Sequence, residues 1–277
     1  LPGTRTSGMT HRAAAMYCSA EAHYSITRAA ELLGIGRDNV RAVPTDHRRR
    51  MSAVALEQQL KADTTAGITP IAVVATAGTT LTGAVDPLGD IADVCAPFRT
   101  WVHVDGAYGL PAAAAATSAE LFTGLERVDS LSVDAHKWMF VPKACSAVLV
   151  RSAADLATAF SHNEAYIPHE NDELNAVDVT LEYSRPFRAL KLWLALRVHG
   201  AQAFRDAIEG NLRQAGLLYE LASQHPDFET QPLAPQLSIV PIRHVPAGCS
   251  DADLHNEELC RAMQRDGRVY ISPAIID

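Results

Sequence analysis

A lysine stands where two apolar, strand-forming runs meet. It is Lys137, at the centre of Ser132-Val-Asp-Ala-His-Lys-Trp-Met-Phe140, with one run over 128–133 and the other over 144–150. A lysine between two buried strands either snorkels its ammonium out to water or is kept for its amine. A desolvated lysine with a depressed pKa attacks carbonyls, and the product is a Schiff base. The plain alternative is a loop lysine at a sheet edge, and the local run by itself favours that.

The earlier stretch Trp101-Val-His-Val-Asp-Gly-Ala-Tyr-Gly109 changes the balance. A short strand ends there on Asp105, and the small residues after it let a backbone pass close to a flat ligand. Carboxylates at the C-terminal ends of strands in an α/β sheet lie where such folds bind ligands. An aspartate there, with a lysine one crossover later, suits pyridoxal phosphate (PLP): the carboxylate keeps the pyridine nitrogen protonated and the lysine holds the aldehyde. Taken alone, an aspartate ending a strand is more often an N-cap or turn residue.

His103-Val-Asp-Gly-Ala-Tyr108 and Asp134-Ala-His-Lys-Trp138, followed by Val141-Pro-Lys-Ala-Cys-Ser-Ala147, resemble the group II PLP-dependent amino acid decarboxylases. The nearest likeness is to the aromatic L-amino acid decarboxylases. It continues through Ser19-Ala-Glu-Ala-His-Tyr-Ser25, Ala75-Thr-Ala-Gly-Thr-Thr80 and Tyr183-Ser-Arg-Pro-Phe-Arg-Ala-Leu-Lys-Leu-Trp193, in order along nearly the whole chain. The resemblance implies the aspartate aminotransferase-like fold of type I PLP enzymes, a homodimer, and α-decarboxylation of an L-amino acid, aromatic for preference, to its amine and CO₂. It implies that Lys137 carries the Schiff base, Asp105 pairs with the pyridinium, His23 stacks on one ring face and Ala107 packs on the other. His136 resembles the residue at the phosphate or imine, and Thr80 the one at the ring hydroxyl or edge. Tyr166, in a polar segment with the character of a functional loop, resembles the phenol that reaches the neighbouring subunit and protonates the substrate carbon. Arg188 resembles a residue near the substrate. Asp134 stands where the animal enzymes commonly have asparagine; a carboxylate near a phosphate is unfavourable, so it is expected to point away or to pair.

Against the family pattern, the glycine/serine loop for the cofactor phosphate and the arginine for the substrate carboxylate have no counterpart here. The chain is therefore expected to be a fragment of a longer enzyme. Two other readings stand beside decarboxylation of aromatic substrates. One is a glutamate or diaminobutyrate decarboxylase, or a carbon–carbon lyase, of the same fold. The other is a truncated or degenerate homologue without catalysis.

The chain has 277 residues, 48% hydrophobic and 20% charged, which suits a globular protein with a large core. A net charge of −8 offers no electrostatic attraction to nucleic acid or to an anionic membrane. No run of about 18 apolar residues predicts a membrane span. The scattered Cys18, Cys95, Cys145, Cys249 and Cys260 suggest neither a disulfide framework nor a zinc site, but free thiols in a reducing cytoplasm. The histidines show no metal-ligand spacing.

The elements that must position these residues alternate. Strands are expected over 13–18, 40–43, 70–76, 101–104 and 128–133. Helices are expected over 26–33, capped by Ser25, over 53–62, capped by Ser52, over 87–95 and over 119–125. This alternation argues for a mostly parallel sheet with helices on both faces. Helices over 188–198 and 203–223 follow, then strands 236–242 and 269–271 around a helix over 251–265. The chain is therefore expected to divide into a PLP-binding lobe, 1–195, incomplete at its start, and a small α+β lobe, 196–277, incomplete at its end.

Overall fold

The computed structural model describes residues 3–9, 13–162 and 176–276. After a single helical turn, α1 (Thr4–Ser7), strands and helices alternate: β1 (Ala14–Ser19), α2 (Ser25–Leu32), β2 (Val40–Val43), α3 (Ala53–Thr65), β3 (Thr69–Thr76), α4 (Leu88–Cys95) and β4 (Trp101–Asp105). Short 3-10 turns lead to β5 (Ser130–Asp134), β6 (Ser146–Val150) and α5 (Ala153–Phe160). The six strands form one sheet in the order β2-β1-β3-β4-β5-β6. The first five are parallel, and β6 runs antiparallel to β5. All C-terminal ends of the parallel strands therefore share one edge, and the loops that leave them are gathered there.

Central strands are apolar because a covered parallel sheet leaves neither face to water. Val73, Val74 and Ala75 of β3 and Val102 and Val104 of β4 are buried. Leu56 and Leu60 of α3, one helical turn apart, join Leu88 and Ile91 of α4 in the same core. Burying each such leucine stabilises the fold by roughly 2 kcal/mol. Ser52 caps α3 as expected, its Oγ accepting from the Ala55 N–H. Ser25 does not cap α2: Tyr24 holds the cap position with helical dihedrals, and the Ser25 hydroxyl bonds the His23 ring instead. Residues 119–125 form 3-10 turns, not an α-helix.

The later chain holds a long helix, α6 (Ala189–Gln224), a hairpin of β7 (Phe228–Thr230) and β8 (Ile242–His244), and α7 (Ala252–Asp266). α6 breaks at Gly200, whose φ of 74° is left-handed, so it is two helical segments, matching the break read from the sequence. Of the expected strand 236–242 only Ile242 lies in a strand, as the first residue of β8; residues 236–241 do not. Their polar groups are taken up elsewhere: Gln236 Oε1 accepts from Val85 N–H, Ser238 bonds Tyr108, and Leu237 inserts into the core. The run 269–271 is no strand either, since the Ile271 carbonyl accepts from Gln264 Nε2 of α7. No described helix is long and apolar enough to cross a membrane.

One buried carboxylate ties the first half together. Asp86, fully buried, accepts from the Met51 N–H at 2.6 Å and from the Thr76 N–H at 2.7 Å. Burial pushes its carboxyl up to about 6, against the pull of those two donors. A carboxyl raised on folding stabilises the fold below its unfolded value near 3.9, and that contribution is lost as pH rises through 6. The swing is on the order of 3 kcal/mol. Asp86→Asn is expected to remove it: in urea titrations the stability gap between wild type and variant narrows from pH 5 to pH 8. A constant gap would show that Asp86 does not titrate in this way.

Candidate active site

Lys137 lies on the turn that leaves β5, and Asp105 is the last residue of β4, its parallel neighbour. The register places Asp105 opposite Ser132, and the Asp134 N–H donates to the Ala107 carbonyl, so the two turns are bonded to each other. Close approach here depends on small residues. A Cβ on Gly106 would lie 2.9 Å from the Ser132 carbonyl oxygen, and one on Gly109 2.4 Å from that of Ala77.

Lys137 is not enclosed between two buried strands. β6 is an exposed edge strand, with Val148 and Leu149 more than half exposed, and the Lys137 side chain is 45% exposed. Its Nζ lies 3.0 Å from Asp134 Oδ2. Asp134 is thus paired, as its charge required. Burial raises its carboxyl, but hydrogen bonds from Ser146 at 2.5 Å and from Lys137 outweigh that and hold it below the ordinary range. His136 packs its ring against the Cys145 backbone, Nδ1 lying 3.0 Å from the carbonyl oxygen.

Asp105 is half-buried. Its Oδ1 accepts from the Ala107 N–H at 3.1 Å and, at longer range, from the Ser132 hydroxyl at 3.4 Å. Oδ2 has no hydrogen-bond partner among the described residues, which leaves one carboxylate oxygen for a donor from outside. His23 is exposed on the loop after β1, bonded to Ser25 Oγ at 2.8 Å. Thr80 is exposed on the turn after β3, whereas Thr79 is buried and hydrogen-bonded to Thr82. The structure thus brings Lys137, His136, Asp105, Ala107, Thr80 and His23 to the C-terminal ends of four adjacent strands. Arg188 sits at the start of α6, bonded to both carboxylate oxygens of Glu182. Tyr166 lies outside the described residues. None of the others lines the cleft walled by Arg48, Arg49, Tyr219, Gln236 and Pro241.

Two aromatic residues to which the sequence motifs assign no role anchor the lysine turn. Trp138 is buried, stacks on Tyr108 with ring centroids 4.9 Å apart at 12°, and donates its Nε1–H to Asn211 of α6 at 3.0 Å. Tyr108 bonds Ser238 Oγ at 2.5 Å, and burial raises its phenol despite the Ser238 bonds. Trp138→Phe keeps the stack and loses the hydrogen bond. It is expected to cost about 1 kcal/mol in chemical denaturation, and Trp138→Ala about 3–5 kcal/mol. Equal costs for the two would mean that the stack adds nothing.

The donor set fits PLP: an amine, a carboxylate with a free oxygen, and an imidazole lie around one sheet edge. Among the described residues no cluster of histidine, cysteine or carboxylate could hold a metal ion.

Residues 3–243 match the family model described as the pyridoxal-dependent decarboxylase conserved domain. The chain is 38% identical over 248 residues to an aromatic-L-amino-acid decarboxylase of Bacillus atrophaeus, covering 88% of this chain and 52% of that protein. It is 35% identical over 220 residues to the cysteine sulfinic acid decarboxylase of Rattus norvegicus, covering 78% of this chain and 45% of that one. The crystal structure of Oryza sativa TDC with PLP and tryptamine superposes with a TM-score of 0.91 at 30% identity, over 99% of this chain and 58% of that chain. Mouse CSAD gives a TM-score of 0.87 at 30% identity, over 99% and 60%. The chain spans about half the length of the relatives it matches. Its fold is that of the fold type I PLP-dependent enzymes, and by motif, sequence match and superposition alike the chain belongs to the pyridoxal-dependent decarboxylase family.

Proposed function

We propose that this chain carries the lysine-bearing part of a PLP-dependent enzyme that removes the α-carboxyl group of L-amino acids as CO₂, with aromatic amino acids preferred. The family supports amino acid decarboxylation as the reaction class. The observation that carries the reading is the placement of Lys137 and Asp105 on bonded turns at the ends of neighbouring parallel strands.

In this reading Lys137 would hold the cofactor's aldehyde through its Nζ, and Asp105 Oδ2 would accept from the ring nitrogen. His23 would cover one ring face and Ala107 the other, with His136 and Thr80 at the edges. Bound there, PLP supplies the sink for the electron pair that CO₂ leaves behind. The chain's residues do the rest. Asp105 would set its carboxylate beside the ring nitrogen, where a negative charge favours the protonated ring. Asp134, 3.0 Å from Lys137 Nζ, would hold the amine at this sheet edge until it is engaged. Tyr166 would deliver a proton to the substrate's α-carbon. Arg188 has a weaker claim on the substrate, because it would first have to leave Glu182.

Residues 1–195 are proposed as the cofactor lobe and 196–277 as the smaller one. A homodimer is also proposed. Exposed Leu190, Trp193, Leu194 and Val198 on the first segment of α6 support it, since a patch of that kind marks an interface. Free Cys18, Cys95, Cys145, Cys249 and Cys260 support a reducing, cytoplasmic setting, and the net charge of −8 favours neither nucleic acid nor an anionic membrane as partner.

The likeness to cysteine sulfinic acid decarboxylase favours a second reading, an acidic substrate. The protein supplied with PLP should be offered tryptophan, tyrosine, cysteine sulfinate and glutamate, with amine and CO₂ measured. Release from the aromatic pair supports the first reading and release from the acidic pair the second. No release from any overturns both.

A further inference from the structure

Side chains alternate along a strand, so Trp101, His103 and Asp105 share one face of β4. In register, β5 sets Ser130 opposite His103 and Ser132 opposite Asp105. The other face of β4 is apolar in the ordinary way, with Val102 and Val104 buried. A run of polar groups in the middle of a parallel sheet calls for a reason, and here the groups are joined. Trp101 Nε1–H donates to Ser130 Oγ at 2.8 Å, and Ser130 Oγ lies 2.8 Å from His103 Nδ1. Ser130 is buried, and its hydroxyl proton has no other acceptor among the described residues. The hydroxyl therefore donates to Nδ1, and the neutral ring carries its proton on Nε2. Burial favours that neutral ring, with the Asp105 charge opposing it.

We propose that Trp101, Ser130 and His103 form a positioning chain for Asp105, holding His103 in the Nε2–H tautomer so that a fixed imidazole dipole stabilises the Asp105 carboxylate. This rests on the reading of Asp105 as partner of the cofactor's ring nitrogen. A carboxylate steadied by fixed dipoles is a weaker base, so a shared proton stays on the ring nitrogen. With the chain broken, Asp105 becomes the stronger base and the proton moves to its oxygen. His103 touches neither cofactor nor substrate in this scheme; it acts through Asp105.

The test is the ¹⁵N signal of PLP labelled at its ring nitrogen and loaded onto the full protein, which reports where that proton sits. In the wild type the nitrogen is expected to be protonated. In His103→Leu the signal should move toward the unprotonated position, with kcat down about tenfold or more and KM nearly unchanged. Ser130→Ala, which frees the tautomer, should give a smaller shift in the same direction. His103→Gln, whose amide can reach the Nε2 position, should restore the wild-type signal. Should His103→Leu fail to fold, the other two variants carry the test. Variants that lower the unfolding temperature but leave the ¹⁵N signal in place overturn the proposal and leave the Asp105 reading standing. An unprotonated nitrogen in the wild type, or no PLP held, overturns both.

Discussion

Lys137→Ala is expected to abolish decarboxylation, a loss on the order of a thousandfold or more, because Lys137 is the amine on the turn bonded to the one that carries Asp105. The absorption band that PLP develops on this protein should vanish with it. Lys137→Arg is the sharper version. A guanidinium keeps the positive charge beside Asp134 but has no nucleophilic nitrogen at neutral pH. It should unfold like the wild type and be as inactive as the alanine variant. Reduction with borohydride in the presence of PLP, followed by peptide mass analysis, then locates the modified residue. The chain's other lysines are Lys61, Lys143 and Lys191, so the assignment is unambiguous. Lys61 is ion-paired to Glu57 on α3. An adduct on Lys143 or Lys191 in the wild type, or activity surviving in Lys137→Arg, would remove Lys137 from the chemistry.

Lys137 and Asp105 stand out in the sequence as a pair, because each ends or follows a short strand whose period and flanking small residues are visible in a few neighbours; either one alone reads as a loop or turn residue. The parallel sheet was legible for the same reason: strand and helix signals alternate, and Ser52 announces α3 one residue before it begins. What holds the site in place was not legible. Tyr108 meets Ser238, 130 positions away, and Trp138 meets Asn211, 73 positions away. No periodicity of either segment encodes such contacts. The β-branched run 236–242 reads as a strand on propensity, but over 236–241 the structure docks it as a plug, with Leu237 filling the space left by Gly78 and Gly109; only Ile242 pairs, with Thr230 of β7. The alternation of Trp101, His103 and Asp105 was in plain view. On its own it is ordinary strand patterning, because its meaning depends on Ser130 and Ser132 across the sheet.

Asp105→Asn should cost on the order of a hundred- to a thousandfold in kcat while the fold stays intact, because the substitution keeps the shape and removes the charge. The asparagine oxygen can still accept from the Ala107 N–H and from Ser132, which accounts for the side-chain hydrogen bonds of Asp105 among the described residues. Unfolding should therefore move by no more than about 1 kcal/mol. The loss falls on the free oxygen, Oδ2, where an amide N–H would face the protonated ring nitrogen and drive its proton off. Substrate affinity does not depend on that proton, so KM should change far less than kcat. Asp105→Ala removes the acceptors as well; it should lose the same factor in kcat and, in addition, stability. A large fall in stability for Asn with kcat unchanged would make Asp105 a turn residue, which is what an aspartate at the end of a strand usually is.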